Sequence, residues 1–284
     1  MVKRLLTAVV GISAGVVIVY FLNSTLIYLL AVCAIAGMSV HELLTATKTG
    51  FKYFPVHYIF CLIFAVMLPA LAWFEVSEIW RLFAAGVIGF LMFAGFVADN
   101  KKLSYNRLSM MCLCTILVTF PITCLVSLIK MSDIHGPVYV TMALMAAWLP
   151  DAGAFFVGSA IGKHKLCPNI SPKKTIEGAV GGVIVSAIVF VIFAYIYRAI
   201  MAARGINFNI GLPILIPMAV VAAVISIFGD LTASLIKREY EIKDFGNVFP
   251  GHGGFVDRFD SVYFVLPFIM FILNAFGEGL FIMN

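Results

Sequence analysis

The chain is 284 residues long, with 63% hydrophobic and only 12% charged residues, whereas roughly a quarter of the residues in a soluble domain are charged. This composition excludes an ordinary soluble domain and predicts an all-α, polytopic integral membrane protein. The net charge of +5 says little by itself, because the split of positive charge between the two sides carries the information; nothing in it calls for a nucleic acid.

Polar breaks divide the sequence into nine apolar segments of near-spanning length, at 5–22, 25–43, 55–74, 81–98, 108–129, 138–160, 179–200, 212–233 and 261–282. The first follows Met1-Val2-Lys3-Arg4 and is too long for the apolar region of a signal peptide, so it reads as a retained span. The second ends at His41 and Glu42, which makes it the least secure. With the N-terminus in the cytoplasm, fifteen of the nineteen lysines and arginines lie inside, and only Arg81, Lys130, Arg198 and Arg204 outside. That bias also supports an odd number of spans. Five cysteines lie in apolar runs and only Cys167 in a polar loop, with neither zinc-ligand nor disulfide spacing, so they read as small hydrophobes. With no repeat and no soluble domain, residues 1–284 form a single membrane domain.

In the sixth segment Pro150 precedes Asp151. Proline can open a helix, and an ionisable side chain within a span needs a cavity or a partner, which makes Asp151 a candidate site residue; its alternative is an acid at a helix end. Gly158 and Gly162 are spaced for close helix packing, a common feature. Lys173 and Lys174 occupy a Ser-Pro-Lys-Lys-Thr turn before the seventh segment, suited either to holding a phosphate or to an ordinary positive loop. In the eighth, Asp230, Ser234 and Lys237 recur at i, i+4 and i+7, within about 40° of one another around a helix. Asp230 lies too deep to be an interfacial flank and needs a cation or a lysine as partner.

The stretch Ser234 to Asp260, SLIKREYEIKDFGNVFPGHGGFVDRFD, is the main polar insertion. It combines Lys237, Arg238, Lys243 and Arg258, which suit a polyanion, with Asp244, Asp257 and Asp260, which suit a hard cation. Gly253 and Gly254 beside His252 allow backbone amides to approach a phosphate. If helix has begun by Asp257, it and Asp260 at i and i+3 share a side and could share a cation. Metal-assisted chemistry on phosphates is the reading this composition favours.

These residues resemble the signature of the phosphatidate cytidylyltransferases, also called CDP-diacylglycerol synthases. It is matched at Ser234, Lys237, Arg238, Lys243, Asp244, His252, Gly253, Gly254, Asp257, Arg258 and Asp260. A second similarity covers DAGAFFVGSAIGKHKL from Asp151 and ISPKKTIEG from Ile170. The motifs fall within the C-terminal spans, 138–282, while the N-terminal spans, 1–130, match only as hydrophobic segments.

The resemblance implies CMP transfer from CTP to phosphatidic acid, giving CDP-diacylglycerol and pyrophosphate in phospholipid synthesis. It implies a nine-span protein, usually a homodimer, with a polar cavity open to the cytoplasm and laterally to the lipid bilayer. By position, Asp230 and Asp257 would bind Mg2+, with Asp260 beside them and Ser234 and Lys237 lining the same cavity; a monovalent cation such as K+ is also implied. Lys173, Lys174, Arg238, Lys243 and Arg258, with Asp151, Asp244, His252, Gly253 and Gly254, would surround the two substrates. Readings left open are a CTP-dependent lipid kinase, a cytidylyltransferase for another lipid phosphate, and a transporter in which Asp151 and Asp230 line an ion path.

Overall fold

The computed structural model describes residues 13, 15–98, 101–249, 251 and 253–283. Its helices are α1 (Leu26–Ala46), α2 (Pro55–Trp73), α3 (Glu78–Ala98), α4 (Tyr105–Lys130), α5 (Gly136–Ile161), α6 (Ile176–Ala202), α7 (Leu212–Glu239), the short α8 (Val256–Phe259) and α9 (Val262–Leu280). Four short strands accompany them: β1 (Lys165–Cys167), β2 (Ser171–Thr175), β3 (Phe208–Ile210) and β4 (Phe281–Met283).

Helices α1 to α7 are each long and apolar enough to cross a bilayer, and they match the second to eighth expected segments. The ninth corresponds to α9, Val262–Leu280. Half of the first segment, residues 5–12 and 14, lies outside the described residues. Pro69, Pro121, Pro150, Pro217 and Pro267 all lie inside helices. Pro150 therefore does not break its span, and Asp151 sits within α5 rather than at a helix end.

The chain forms two compact units, one of residues Met1–Val140 and Lys237–Phe259, the other of Thr141–Ile236 and Asp260–Asn284. In the first, α1, α2 and α4 pack on one another, and α3 packs on α2. Ala36, Val40, Leu44, Ala65, Met111, Val118 and Ile122 are buried there. The Tyr28 hydroxyl donates to the Leu125 carbonyl at 2.9 Å, so a polar atom in an apolar core has its partner. Helix α3 buries only Ile88 and Met92. Its exposed Phe83, Phe90 and Phe93 are the kind of surface a bilayer covers.

In the second unit the Ser226 hydroxyl donates to the Ala147 carbonyl at 2.6 Å and ties α7 to α5. Strands β3 and β4 pair antiparallel, Phe208 opposite Met283, and the rings of Phe208 and Phe281 meet at 5.1 Å.

Helices α5 and α6 touch along glycines. A Cβ at Gly153 would stand 3.0 Å from the Gly182 Cα, and one at Gly178 would stand 3.1 Å from the Gly158 Cα. This seam lets two backbones approach where larger side chains would hold them apart. Gly182→Val, whose side chain would run into the Pro150 carbonyl, is expected to cost roughly 1–3 kcal/mol of stability. A lowered unfolding midpoint in detergent is the measurement.

Candidate active site

In the second unit, three residues from separate stretches meet. The Ser-Pro-Lys-Lys-Thr segment is strand β2, paired antiparallel with β1, where the sequence suggested only a turn. Strand alternation sends Lys173 and Lys174 to opposite faces; Lys173 is exposed and Lys174 half-buried. Thr175 then caps α6, its hydroxyl accepting the Gly178 N–H at 3.2 Å. Glu177 reaches back, accepting the N–H of Lys163 at 3.1 Å and facing His164 Nδ1 at 2.6 Å. The hairpin is thereby fastened at both ends.

So held, Lys174 places its ammonium 3.3 Å from Asp151 Oδ1 and in direct contact with Asp230 Oδ2. Asp230 has the lysine partner its depth required, supplied by the β1–β2 hairpin. Burial alone would pull the Lys174 ammonium down, but the carboxylates of Asp151 and Asp230 outweigh it and hold its pKa above the ordinary lysine value. Lys174 is therefore charged throughout the neutral range. The stability linked to that shift is complete below the ordinary lysine pKa, about 10.4, and is lost only as pH rises through the higher folded value.

In the first unit, Asp257 is the hub of the polar loop. Its side chain is 2% exposed. Oδ1 lies 3.1 Å from the Lys237 ammonium, and Oδ2 accepts the N–H groups of Phe245 at 2.8 Å and Gly254 at 3.0 Å. Lys237 also lies over the Phe245 ring, 5.5 Å from its centre. Gly253 has φ +79°, and a Cβ there would crowd Asp257 Oδ2 at 2.7 Å and Asp244 Oδ1 at 3.2 Å. Glycine is thus required both by backbone conformation and by space. Its carbonyl accepts the Phe249 N–H at 2.9 Å, closing the loop.

Other expected site residues fall around these two centres. Ser234 lies with Asp230 and Lys237 on continuous helix, so the spacing argued from sequence holds. Arg238 on α7, Lys243 and Asp244 in the loop that follows, and Arg258 on α8 are exposed. His252 is outside the described residues. Helix has begun by Asp257, which lies in α8, and Asp260 follows the last residue of that helix. Asp260 accepts the N–H of Ser261 at 2.7 Å. Its backbone lies by Gly229, where a Cβ would stand 3.3 Å from the Asp260 carbonyl oxygen.

Glu42 was legible only as a soft boundary of the second segment. It is buried, and its two carboxylate oxygens accept the successive N–H groups of Phe255 and Val256 at 3.0 and 2.9 Å. An acid at the end of an apolar run was the available signal; which backbone it would reach was not.

The donor chemistry fits magnesium. Asp230 and Asp257, the expected ligands, each offer hard carboxylate oxygens beside a lysine, and Asp151 offers another next to Asp230. Among the described residues no three His, Cys, Asp or Glu side chains gather as a ready-made metal cage. Magnesium needs none, since it takes one or two carboxylates and completes its shell with water and substrate phosphate.

The sequence model of the cytidylyltransferase family matches residues 2–276. The chain belongs to that family. It is 31% identical to a phosphatidate cytidylyltransferase of Bacillus subtilis strain 168 over 283 residues, covering 98% of this chain and 99% of that one. It is 33% identical to a phosphatidate cytidylyltransferase of Staphylococcus saprophyticus over 274 residues, covering 95% and 98% of the two chains. A Staphylococcus aureus strain COL protein of the same name is 32% identical, with the same coverage.

Replacing Asp257 by Ala would strand the Lys237 charge and two buried amides, and is expected to cost about 3–5 kcal/mol. Asp257→Asn keeps an acceptor oxygen and should cost less. Comparing the unfolding midpoints of the two variants checks this order.

Proposed function

We infer that the protein is a phosphatidate cytidylyltransferase, which transfers CMP from CTP to phosphatidic acid at the cytoplasmic face of a membrane, releasing pyrophosphate and leaving CDP-diacylglycerol. The observation that carries this reading is the convergence of Asp151 and Asp230 on the Lys174 ammonium, in a chain related to enzymes of that name over 98% of its length. The excess of lysine and arginine on one side of the predicted spans supports the cytoplasmic placement.

An oxygen of the lipid phosphate attacks the α-phosphorus of CTP. A new P–O bond forms, and the bond to the β-phosphate oxygen breaks, its electron pair leaving with pyrophosphate. A phosphate monoester has its second pKa near about 6, so the nucleophile is already largely ionised and no strong protein base is needed. The difficulty is bringing two polyanions together and bearing the charge of the leaving group.

The protein's own residues meet that difficulty. Lys174, oriented by Asp151 and Asp230, and Lys237, oriented by Asp257, are fixed cations, so they lose little freedom on meeting phosphate. The exposed Lys173, Arg238, Lys243 and Arg258 draw both anionic substrates toward the site. Asp230 and Asp257 would hold magnesium, with Asp151 close to the first. Bound there, the ion would neutralise phosphate charge and stabilise the departing pyrophosphate.

The test is product analysis on detergent-purified protein given labelled CTP and phosphatidic acid. The expected products are pyrophosphate and a CDP-lipid in equal amounts, with at least about a hundredfold less from Asp230→Asn or Asp257→Asn. CDP with a phosphorylated lipid would instead identify a kinase, and near-normal turnover in both folded variants would overturn the site.

A further inference from the structure

Glu42 is a buried acid at the end of an apolar helix. It lies in the last turn or so of α1, is 4% exposed, and hydrogen-bonds to two consecutive backbone amides. Those amides belong to Phe255 and Val256, the residues just before Asp257. The surroundings are shaped to it: a Cβ at Gly246 or at Gly254 would run into the Glu42 carboxylate. Gly246 follows Phe245 and Gly254 precedes Phe255, and the Phe245 and Gly254 amides are the two that Asp257 itself accepts.

Two carboxylates thus share one loop. Asp257 accepts the amides at 245 and 254, and Glu42 accepts those at 255 and 256. Three consecutive donors, at 254 to 256, and a fourth at 245 are consumed in this way, and the direction in which the Asp257 side chain leaves the backbone follows from them. Charged acceptors hold amides more firmly than neutral ones.

We propose that Glu42 is a positioning residue for cytidylyl transfer, clasping the 254–256 backbone so that Asp257 is held in the orientation in which it serves the reaction. This rests on the reading of Asp257 as a residue of the active site. Glu42 touches neither substrate nor reacting atoms; it acts through the loop, as the outer partners of metal-binding carboxylates do.

The test uses the full chain in detergent, with Glu42→Gln, which keeps the shape but sets an amide group against one of two N–H donors. Hydrogen exchange over residues 253–257, read without CTP or magnesium, is expected to speed by about tenfold or more, because one acceptor is lost. In the assay, kcat should fall by about ten- to a hundredfold and the magnesium concentration for half-activity should rise. KM for phosphatidic acid should stay within about twofold, as for a group that acts on orientation rather than binding. Gly246→Ala, which displaces the carboxylate without altering it, should reproduce the pattern and carries the test if Glu42→Gln fails to fold.

Unchanged exchange would overturn the clasp. Faster exchange with normal kcat and normal magnesium dependence would overturn the positioning role and leave Glu42 purely structural. Full activity in Asp257→Asn would instead overturn the underlying reading of Asp257, whatever the exchange of Glu42→Gln.

Discussion

A carboxylate within or beside an apolar span is tolerated only with a cation or several donors at hand. Much of the local structure follows from that constraint. Asp151 and Asp230 share a single lysine. Asp257 takes a lysine and two amides. Glu42 takes two amides. Each solution fixes a stretch of chain that would otherwise be loose, so solvation of the acids and positioning of the site are one problem.

The scaffolding is built to the same end. Lys174 reaches Asp151 and Asp230 because β1 and β2 form a hairpin, Thr175 starts α6 immediately after it, and glycines at 153, 158, 178 and 182 bring α6 close to α5. In the other unit, Gly246, Gly253 and Gly254 make the space that Glu42 and Asp257 occupy. Glycine serves in the one case as a packing surface between helices and in the other as room for a carboxylate, and neither use tolerates a side chain.

The sequence made the helices legible because each needs about twenty apolar residues and polar breaks mark their ends; α1 to α7 fall where the hydropathy placed them. The polar motifs were legible as well, since acids and lysines stand out in apolar surroundings. Pairings were not. Spacing put Asp230 and Lys237 on one helix face, yet Lys237 is bound to Asp257 and Asp230 to Lys174. Partners chosen across distant stretches depend on tertiary packing, which helical periodicity does not encode. Pro150 misled for a related reason: its local effect on a helix is real, but α5 continues through it because neighbouring helices can compensate for the missing donor. The contact of Glu42 with Phe255 and Val256 spans more than two hundred positions, beyond any local pattern.

If Asp230 and Asp257 are cation ligands of a cytidylyltransferase, exchanging a charged oxygen for an amide should weaken cation binding itself and not only turnover. The most direct measurement is binding of Mn2+, as a paramagnetic substitute for Mg2+, to purified protein in the presence of CTP, followed by electron paramagnetic resonance. Asp230→Asn and Asp257→Asn should each weaken binding by about tenfold or more relative to the unaltered protein. Unchanged Mn2+ affinity in both folded variants would contradict the account.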